Sequence, residues 1–250
     1  MNYKTILNVI STKYKEILES NLVGIYVHGS IAFNCFNWNK SDIDFLVVVN
    51  EKLSESVKLR LLEVLESLRA ESPPKGFEMS VVLKEHCINF QYPTPYELHF
   101  SNQWLETYLT NPLLLCDDNY KTDKDLAAHL TIIRHVGIAL CGEPIKEVFG
   151  DVPKDNYIDS IKNDIENATV EILHNPMYIV LNLCRVAAYI KDNLILSKEQ
   201  GGNWGLRNLP KEYRDIVNEA LKSYMSSGKM TIKEVEAQKF CDYMLVQVFS

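Results

Sequence analysis

The sequence predicts an α/β N-terminal half followed by an all-α half. Apolar runs of strand length, "LVGIYVHGS", "DIDFLVVVN" and "FEMSVVLKEH", occur early and are separated by turn residues. From Tyr157 onward the apolar residues recur with helical period, and no segment reads as a strand. Between the two halves lies "CGEPIKEVFGDVPKD", with two prolines and two glycines, which divides the chain into domains 1–152 and 153–250.

The first element is an amphipathic helix with Ile6, Ile10, Tyr14, Ile17 and Leu18 on one face, broken by Asn21 and Gly24. A buried strand then ends at Gly29-Ser30. The second strand places Ile43, Phe45 and Val47 on one side and Asp42, Asp44 and Leu46 on the other. Residues 54–70 form a helix with Ser54 as N-cap, "SPPKG" turns the chain, and a third strand starts at "FEMSVV". Residues 100–150 read as mostly helical, with one helix starting near Asp123. In the second half "YIDSIKNDIENATVEIL", "PMYIVLNLCRVAAYIKD" and "IKEVEAQKFCDYMLVQVF" read as helices, packed as a bundle. "SKEQGGNWGLRNLP" reads as a polar loop between helical parts.

Composition narrows the class. A net charge of −7 with no run of Lys or Arg disfavours a nucleic-acid partner and suits a small cationic one. The six cysteines form no C-x-x-C pair and no zinc-type cluster, so they read as free thiols in a reducing compartment. The N-terminal segment lacks an apolar signal core, and no stretch reaches membrane-span length. The expectation is a cytoplasmic protein without a membrane partner.

The chemistry concentrates between Gly29 and Glu78. Residues two apart on a strand share a face, so Asp42 and Asp44 present two carboxylates side by side. Like charges that close call for protonation or a cation, and hard oxygen ligands at a strand edge suit Mg²⁺, which completes its shell with water and phosphate. Glu78 joins them if the second and third strands are neighbours. Gly29 lets the backbone approach a ligand, and Ser30 adds a hydroxyl beside N–H groups able to hold a phosphate oxygen. A solvated strand entry is the alternative for Asp42 and Asp44, and a surface position on an alternating strand is the alternative for Glu78. A Gly-Ser turn followed about a dozen residues later by D-x-D at a strand start is similar to the signature of the nucleotidyltransferase superfamily related to DNA polymerase β.

"SDIDFLVVV", "YELHF", "DLAAHLTIIRHVGIALCGEPI" and "NPMYIVLNLCRVAAYIKDNLILSKEQGGNWGLRNLPKEY" resemble the aminoglycoside adenylyltransferases of spectinomycin and streptomycin resistance, over nearly the whole chain. The resemblance implies a nucleotidyltransferase domain and a helical domain, with ATP and the drug in the cleft between them. It implies transfer of AMP to a drug hydroxyl with release of pyrophosphate. Matched motif by motif, it implies triphosphate contacts at Ser30 and Ser41, two Mg²⁺ ions on Asp42 and Asp44, and a catalytic base at Glu78. It further implies ATP contacts at Asp125, Arg185, Lys198 and Tyr224, all completed within a monomer. Read without it, Asp125 is a first-turn helix aspartate, Arg185 and Lys198 are solvated cations, and Tyr224 is a packing residue.

The family also directs attention to the acceptor. Streptomycin-modifying relatives carry Trp and Asp shortly before the L-C-R motif, whereas "NDIENATVEILHNP" has no Trp. Glu166 and Glu171 fall near those places, and Glu171 can replace the acid. This favours the 9-hydroxyl of spectinomycin. Asn175 stands where the family has a drug-pocket aspartate, and Trp104 matches a drug-contacting Trp, with Glu78 also facing the drug. Trp104 as a core or interface aromatic is the other reading. His28 and His99 read as structural. The competing functions are modification of both drugs, modification of another hydroxyl acceptor such as a lincosamide, and a non-catalytic nucleotide sensor. The sensor is disfavoured because Asp42, Asp44 and Glu78 are all present.

Overall fold

The computed structural model describes residues 2–117, 119–226 and 228–249. It divides into two compact units, Met1–Asn156 and Tyr157–Ser250. In the first, helix α1 (Tyr3–Leu18) precedes β1 (Leu22–Val27), a one-turn helix α2 (Gly29–Ala32) and β2 (Ile43–Val49). Then come α3 (Glu55–Ser67), β3 (Phe77–Leu83), α4 (Lys84–Ile88), β4 (Thr94–Tyr96) and β5 (Leu98–Phe100). Short helices α5 (Leu105–Thr110) and α6 (Leu113–Cys116) lead to β6 (Lys121–Asp123), α7 (Leu126–Val136), β7 (Ile138–Gly142) and α8 (Ile145–Val148). The main sheet has five strands in the order β5-β3-β2-β1-β7, and β4 pairs separately with β6. β2 and β3 run parallel, while the other pairs in the main sheet are antiparallel.

The period of two sorts the side chains between two layers. Ile43, Phe45, Val47 and Val49 of β2 pack with Phe77, Met79 and Val81 of β3 against α1 and α3, which contribute Ile6, Ile10, Tyr14, Leu61 and Leu65. Leu46, Val48, Val82, Val23 and Tyr26 face the other way and are covered by Leu126, Leu130 and Ile133 of α7. Asp44, Glu78 and His99 alternate with the first set, so they occupy the same face as the second. All of β2 is buried, and each such apolar side chain contributes roughly 1.5–3 kcal/mol. The polar residues at its start are therefore carried inward by the strand that follows them.

The helical expectation for residues 100–150 is corrected in part. Within that stretch "IALCG" is strand β7 at the sheet edge. Gly137 closes α7 with its N–H on the Ile133 carbonyl at 2.9 Å, and the chain then pairs with β1. The apolar period of α7 continues by coincidence into Ile138 and Leu140, which produced the helical pattern. "LHF" of the Y-E-L-H-F segment is strand β5, paired with β3.

The later helices are α9 (Lys154–Asn163), α10 (Ala168–Glu171), α11 (Pro176–Asp192), α12 (Lys198–Asn208), α13 (Arg214–Met225) and α14 (Glu234–Phe249). No strand follows β7 among the described residues, and no described helix is long and apolar enough to cross a membrane. "YIDSIKNDIENATVEIL" is split between α9 and α10 rather than forming one helix. The polar loop expected at "SKEQGGNWGLRNLP" is instead helix α12. Ser197 and Gln200 form a reciprocal capping box at its start. Its glycines cost about 1 kcal/mol each in helix propensity, but they permit close packing on α11. A Cβ at Gly201 would lie 3.0 Å from the Arg185 backbone, and one at Gly205 would lie 2.8 Å from Cys184 Sγ.

Gly202 provides the test of this packing. A Cβ there would come within 2.7 Å of both Leu181 Cδ2 and Leu221 Cδ2. Gly202→Ala is expected to destabilise the protein by about 1–3 kcal/mol through overpacking, despite the better helix propensity of Ala. Urea denaturation followed by far-UV circular dichroism measures it, and an unchanged or raised midpoint would contradict the packing account.

Candidate active site

Three carboxylates converge where β2 and β3 begin. The parallel register pairs Asp44 with Glu78, and Asp42 precedes Asp44 by one pleat. One oxygen from each of Asp42, Asp44 and Glu78 lies within 4.8 Å of the others. At that separation two full charges repel by about 3 kcal/mol at an effective dielectric constant near 20. Asp44 is buried, while Asp42 and Glu78 are half-buried. A set of hard oxygen donors this close has the chemistry of a divalent-cation site.

The Gly-Ser turn is built against this cluster. The N–H of His28 donates to the Asp44 carbonyl at 3.1 Å, holding the end of β1 to β2. Gly29 has φ of +57°, and a Cβ on it would stand 1.9 Å from Asp44 Oδ2. Any side chain there would displace the carboxylate, so glycine is required both for conformation and for space. Ser30 Oγ is buried without a hydrogen-bond partner, a hydroxyl positioned for a group that the protein itself does not supply. Ser41 is buried and its Oγ accepts from the Asn37 N–H at 3.2 Å. The glycine cradle, the orphaned hydroxyl and the three carboxylates fit a metal-bound polyphosphate.

The remaining expected residues of this unit lie around its rim and helices. Asp125 is half-buried at the N-cap of α7; its N–H donates to Asp123 Oδ1 at 2.8 Å, and its carbonyl accepts from the His129 N–H at 3.1 Å. Trp104 is 43% exposed and leads into α5, which removes the core-aromatic reading.

In the helical unit, Arg185 and Lys198 belong to one polar group. Asp164 accepts from the Tyr178 hydroxyl at 2.9 Å, from Asn182 Nδ2 and from Arg185 Nη2 at 3.3 Å. Lys198 Nζ sits 4.5 Å from the centre of the Tyr178 ring. Tyr224 is buried on α13, Asn175 is exposed at the N-cap of α11, and Glu171 is exposed at the end of α10.

Asp164 and His129 escape a sequence reading, and His28 and His99, read there as structural, lie near His129. Asp164 was missed because its partners are 14 to 21 residues away and become neighbours only when α11 packs beside the α9–α10 turn. His129 Nε2 lies 3.6 Å from Glu78 Oε1, and its ring packs on His28 with centroids 4.6 Å apart. His99 Nδ1 is 2.9 Å from Ser80 Oγ. Burial lowers the pKa of His28 well below 6.5, with the adjacent His129 adding to the effect. Burial likewise lowers that of His99, opposed by Glu78 and Asp123. His28 and His99 thus line the carboxylate end of the sheet.

Comparison with known proteins agrees with both units. Residues 6–106 match a nucleotidyltransferase domain model, and residues 147–247 match the aminoglycoside adenylyltransferase C-terminal domain. The chain is 27% identical over 214 residues to a spectinomycin 9-adenylyltransferase of Staphylococcus aureus, covering 84% of this chain and 80% of that protein. It is 23% identical over 255 residues to an aminoglycoside (3'')(9) adenylyltransferase of Klebsiella pneumoniae, covering 96% and 95%. Its fold matches the crystal structure of the spectinomycin adenyltransferase AAD(9) of Enterococcus faecalis with ATP and spectinomycin. That match has a TM-score of 0.85 at 20% identity and covers 100% of both chains.

Two outcomes follow from the buried polar groups. Replacing Asp164 by Ala removes the shared acceptor of Tyr178, Asn182 and Arg185, and Asn182 is fully buried with its Oδ1 already lacking a partner. The expected loss is about 1–3 kcal/mol, read as a lower thermal midpoint. For His28 the folded pKa lies below the unfolded value, so the unfolded chain binds more protons in acid. Its contribution is complete above about pH 6.5 and is lost as pH falls below that, at up to about 1.4 kcal/mol per pH unit. Stability measured from pH 7.5 to 5 should fall less steeply in His28→Phe than in the natural protein.

Proposed function

The chain belongs to the aminoglycoside adenylyltransferase family, and from that premise we infer that it transfers AMP from ATP to a hydroxyl of an aminocyclitol antibiotic, releasing pyrophosphate. The observation that carries this reading is the convergence of Asp42, Asp44 and Glu78 beside Gly29 and the orphaned Ser30 hydroxyl. A triphosphate needs a cation, a close backbone and a free donor, and here carboxylates able to hold the cation lie beside Gly29 and the Ser30 hydroxyl.

Asp42 and Asp44 would hold Mg²⁺, two ions in this reading. When bound, the metal neutralises charge that builds on the α-phosphorus and the departing pyrophosphate. Ser30 and Ser41 donate hydroxyls to phosphate oxygens. Glu78 accepts the proton of the attacking drug hydroxyl as the new P–O bond forms and the bond to pyrophosphate breaks. In the helical unit, Arg185 and Lys198 supply positive charge for the phosphates, with Arg185 held by Asp164 and Lys198 resting on Tyr178. Asp125 and Tyr224 are further nucleotide contacts. Trp104, Asn175, Glu171 and Glu78 form the drug-facing set.

Spectinomycin is the favoured acceptor, at its 9-hydroxyl. The segment 163–176 contains no Trp to stack on the larger streptomycin, and Glu171 supplies only an exposed acid. The second reading, modification of both drugs, is favoured by the Klebsiella relative, whose name carries both the 3'' and the 9 positions.

Pyrophosphate release from ATP and Mg²⁺, with either drug present, tests the proposal. Release with spectinomycin alone is expected. Glu78→Gln should lower it at least ~100-fold, as should Asp42→Asn or Asp44→Asn. Equal release with streptomycin would overturn the specificity, and no release with either drug would overturn the antibiotic as acceptor.

A further inference from the structure

Leu126, Leu130 and Ile133 recur at helical spacing on α7 and bury against the sheet, so the docking of this helix is fixed by apolar packing. That docking sets His129 over the start of β3, between the side chains of Glu78 and His28. The His129 side chain is 15% exposed and that of Glu78 is 30% exposed. His28 is itself 3% exposed at the end of β1, tied through its N–H to the Asp44 carbonyl. The His129 ring therefore has a rigid wall on one side and the Glu78 carboxylate at its edge.

We propose that His129 is a positioning residue for Glu78: its Nε2 edge holds one carboxylate oxygen and leaves the other turned toward the acceptor hydroxyl. The inference rests on the reading of Glu78 as the base. The separation of 3.6 Å is longer than a formed hydrogen bond. Contacts of this kind are commonly long without substrate and shorten when it binds. An unrestrained glutamate on a half-exposed strand end samples several rotamers, few of which direct the carboxylate at a substrate. Misplacement of a reacting group by about 1 Å costs on the order of 100-fold in rate, so a fixed ring edge is a sufficient device. His28 serves the same end indirectly, by packing on the face of the His129 ring.

The test combines kinetics with a measurement that needs neither metal nor turnover. His129→Leu keeps the volume and loses the N–H; it should lower kcat about 10-fold or more while KM for ATP stays within about 2-fold. His129→Gln carries an amide N–H able to reach the place of Nε2 and should return kcat to within about 3-fold of the natural protein. Long-range ¹H–¹⁵N spectra of the metal-free protein at pH 8 should show the His129 proton on Nε2. Unchanged kcat in His129→Leu, equal loss in Leu and Gln variants that both retain the native circular dichroism, or a proton on Nδ1 would each overturn the proposal. If the natural protein transfers AMP to neither drug, the functional reading fails instead, and the tautomer still reports on the pairing of His129 with Glu78.

Discussion

Repulsion among three carboxylates is the constraint around which the N-terminal unit is organised. Parallel pairing of β2 with β3 sets Asp44 directly beside Glu78, and the pleat brings Asp42 to the same face. Nothing about strand formation favours that arrangement. It is imposed by Phe45, Leu46, Val47, Val48 and Val49, which are completely buried and draw the strand into the core on both faces. A few apolar side chains, at roughly 1.5–3 kcal/mol each, exceed a repulsion of about 3 kcal/mol per charge pair. Such repulsion is relieved by a cation, so the cluster has the chemistry of a metal site. Gly29 then follows as a necessity, because the turn that closes on the cluster leaves no room for a side chain.

Much of this end of the molecule was legible in the amino-acid order. The D-x-D pattern speaks for itself because period two is a property of any strand, and the Gly-Ser turn before it is local. Glu78 required one further assumption, that β2 and β3 are neighbours, and the register bears out that adjacency. Strand β7 was misread because the helical period of α7 runs on into it by chance. Helix α12 was misread because glycine and polar residues signal a loop, whereas their reason is the closeness of α11. His129 was not legible at all: it becomes a neighbour of Glu78 only through the docking of a whole helix, which no local spacing encodes.

The helical unit handles charge in the opposite manner. There one carboxylate, Asp164, gathers a hydroxyl, an amide and a guanidinium, and the Tyr178 ring it orients receives the Lys198 ammonium on its face. Positive charge is thus kept partly desolvated but compensated, which limits the cost of burying it. The same contacts restrain both cations, and a restrained side chain loses less conformational entropy on binding than a free one. Close packing of Gly201 on the Arg185 backbone adds to that rigidity from below.

The order of strands carries a consequence for how this protein can be dissected. The segment matching a nucleotidyltransferase domain ends at residue 106, yet β7 and α7 lie beyond it. A fragment cut at the similarity boundary would expose the outer edge of β1 along its whole length and uncover the apolar half of the second sheet face. An unpaired edge beside exposed Leu46, Val48 and Val82 is a template for self-association. A piece that keeps β1 paired and this face covered must therefore run through α8, to Val148, well beyond the matched segment.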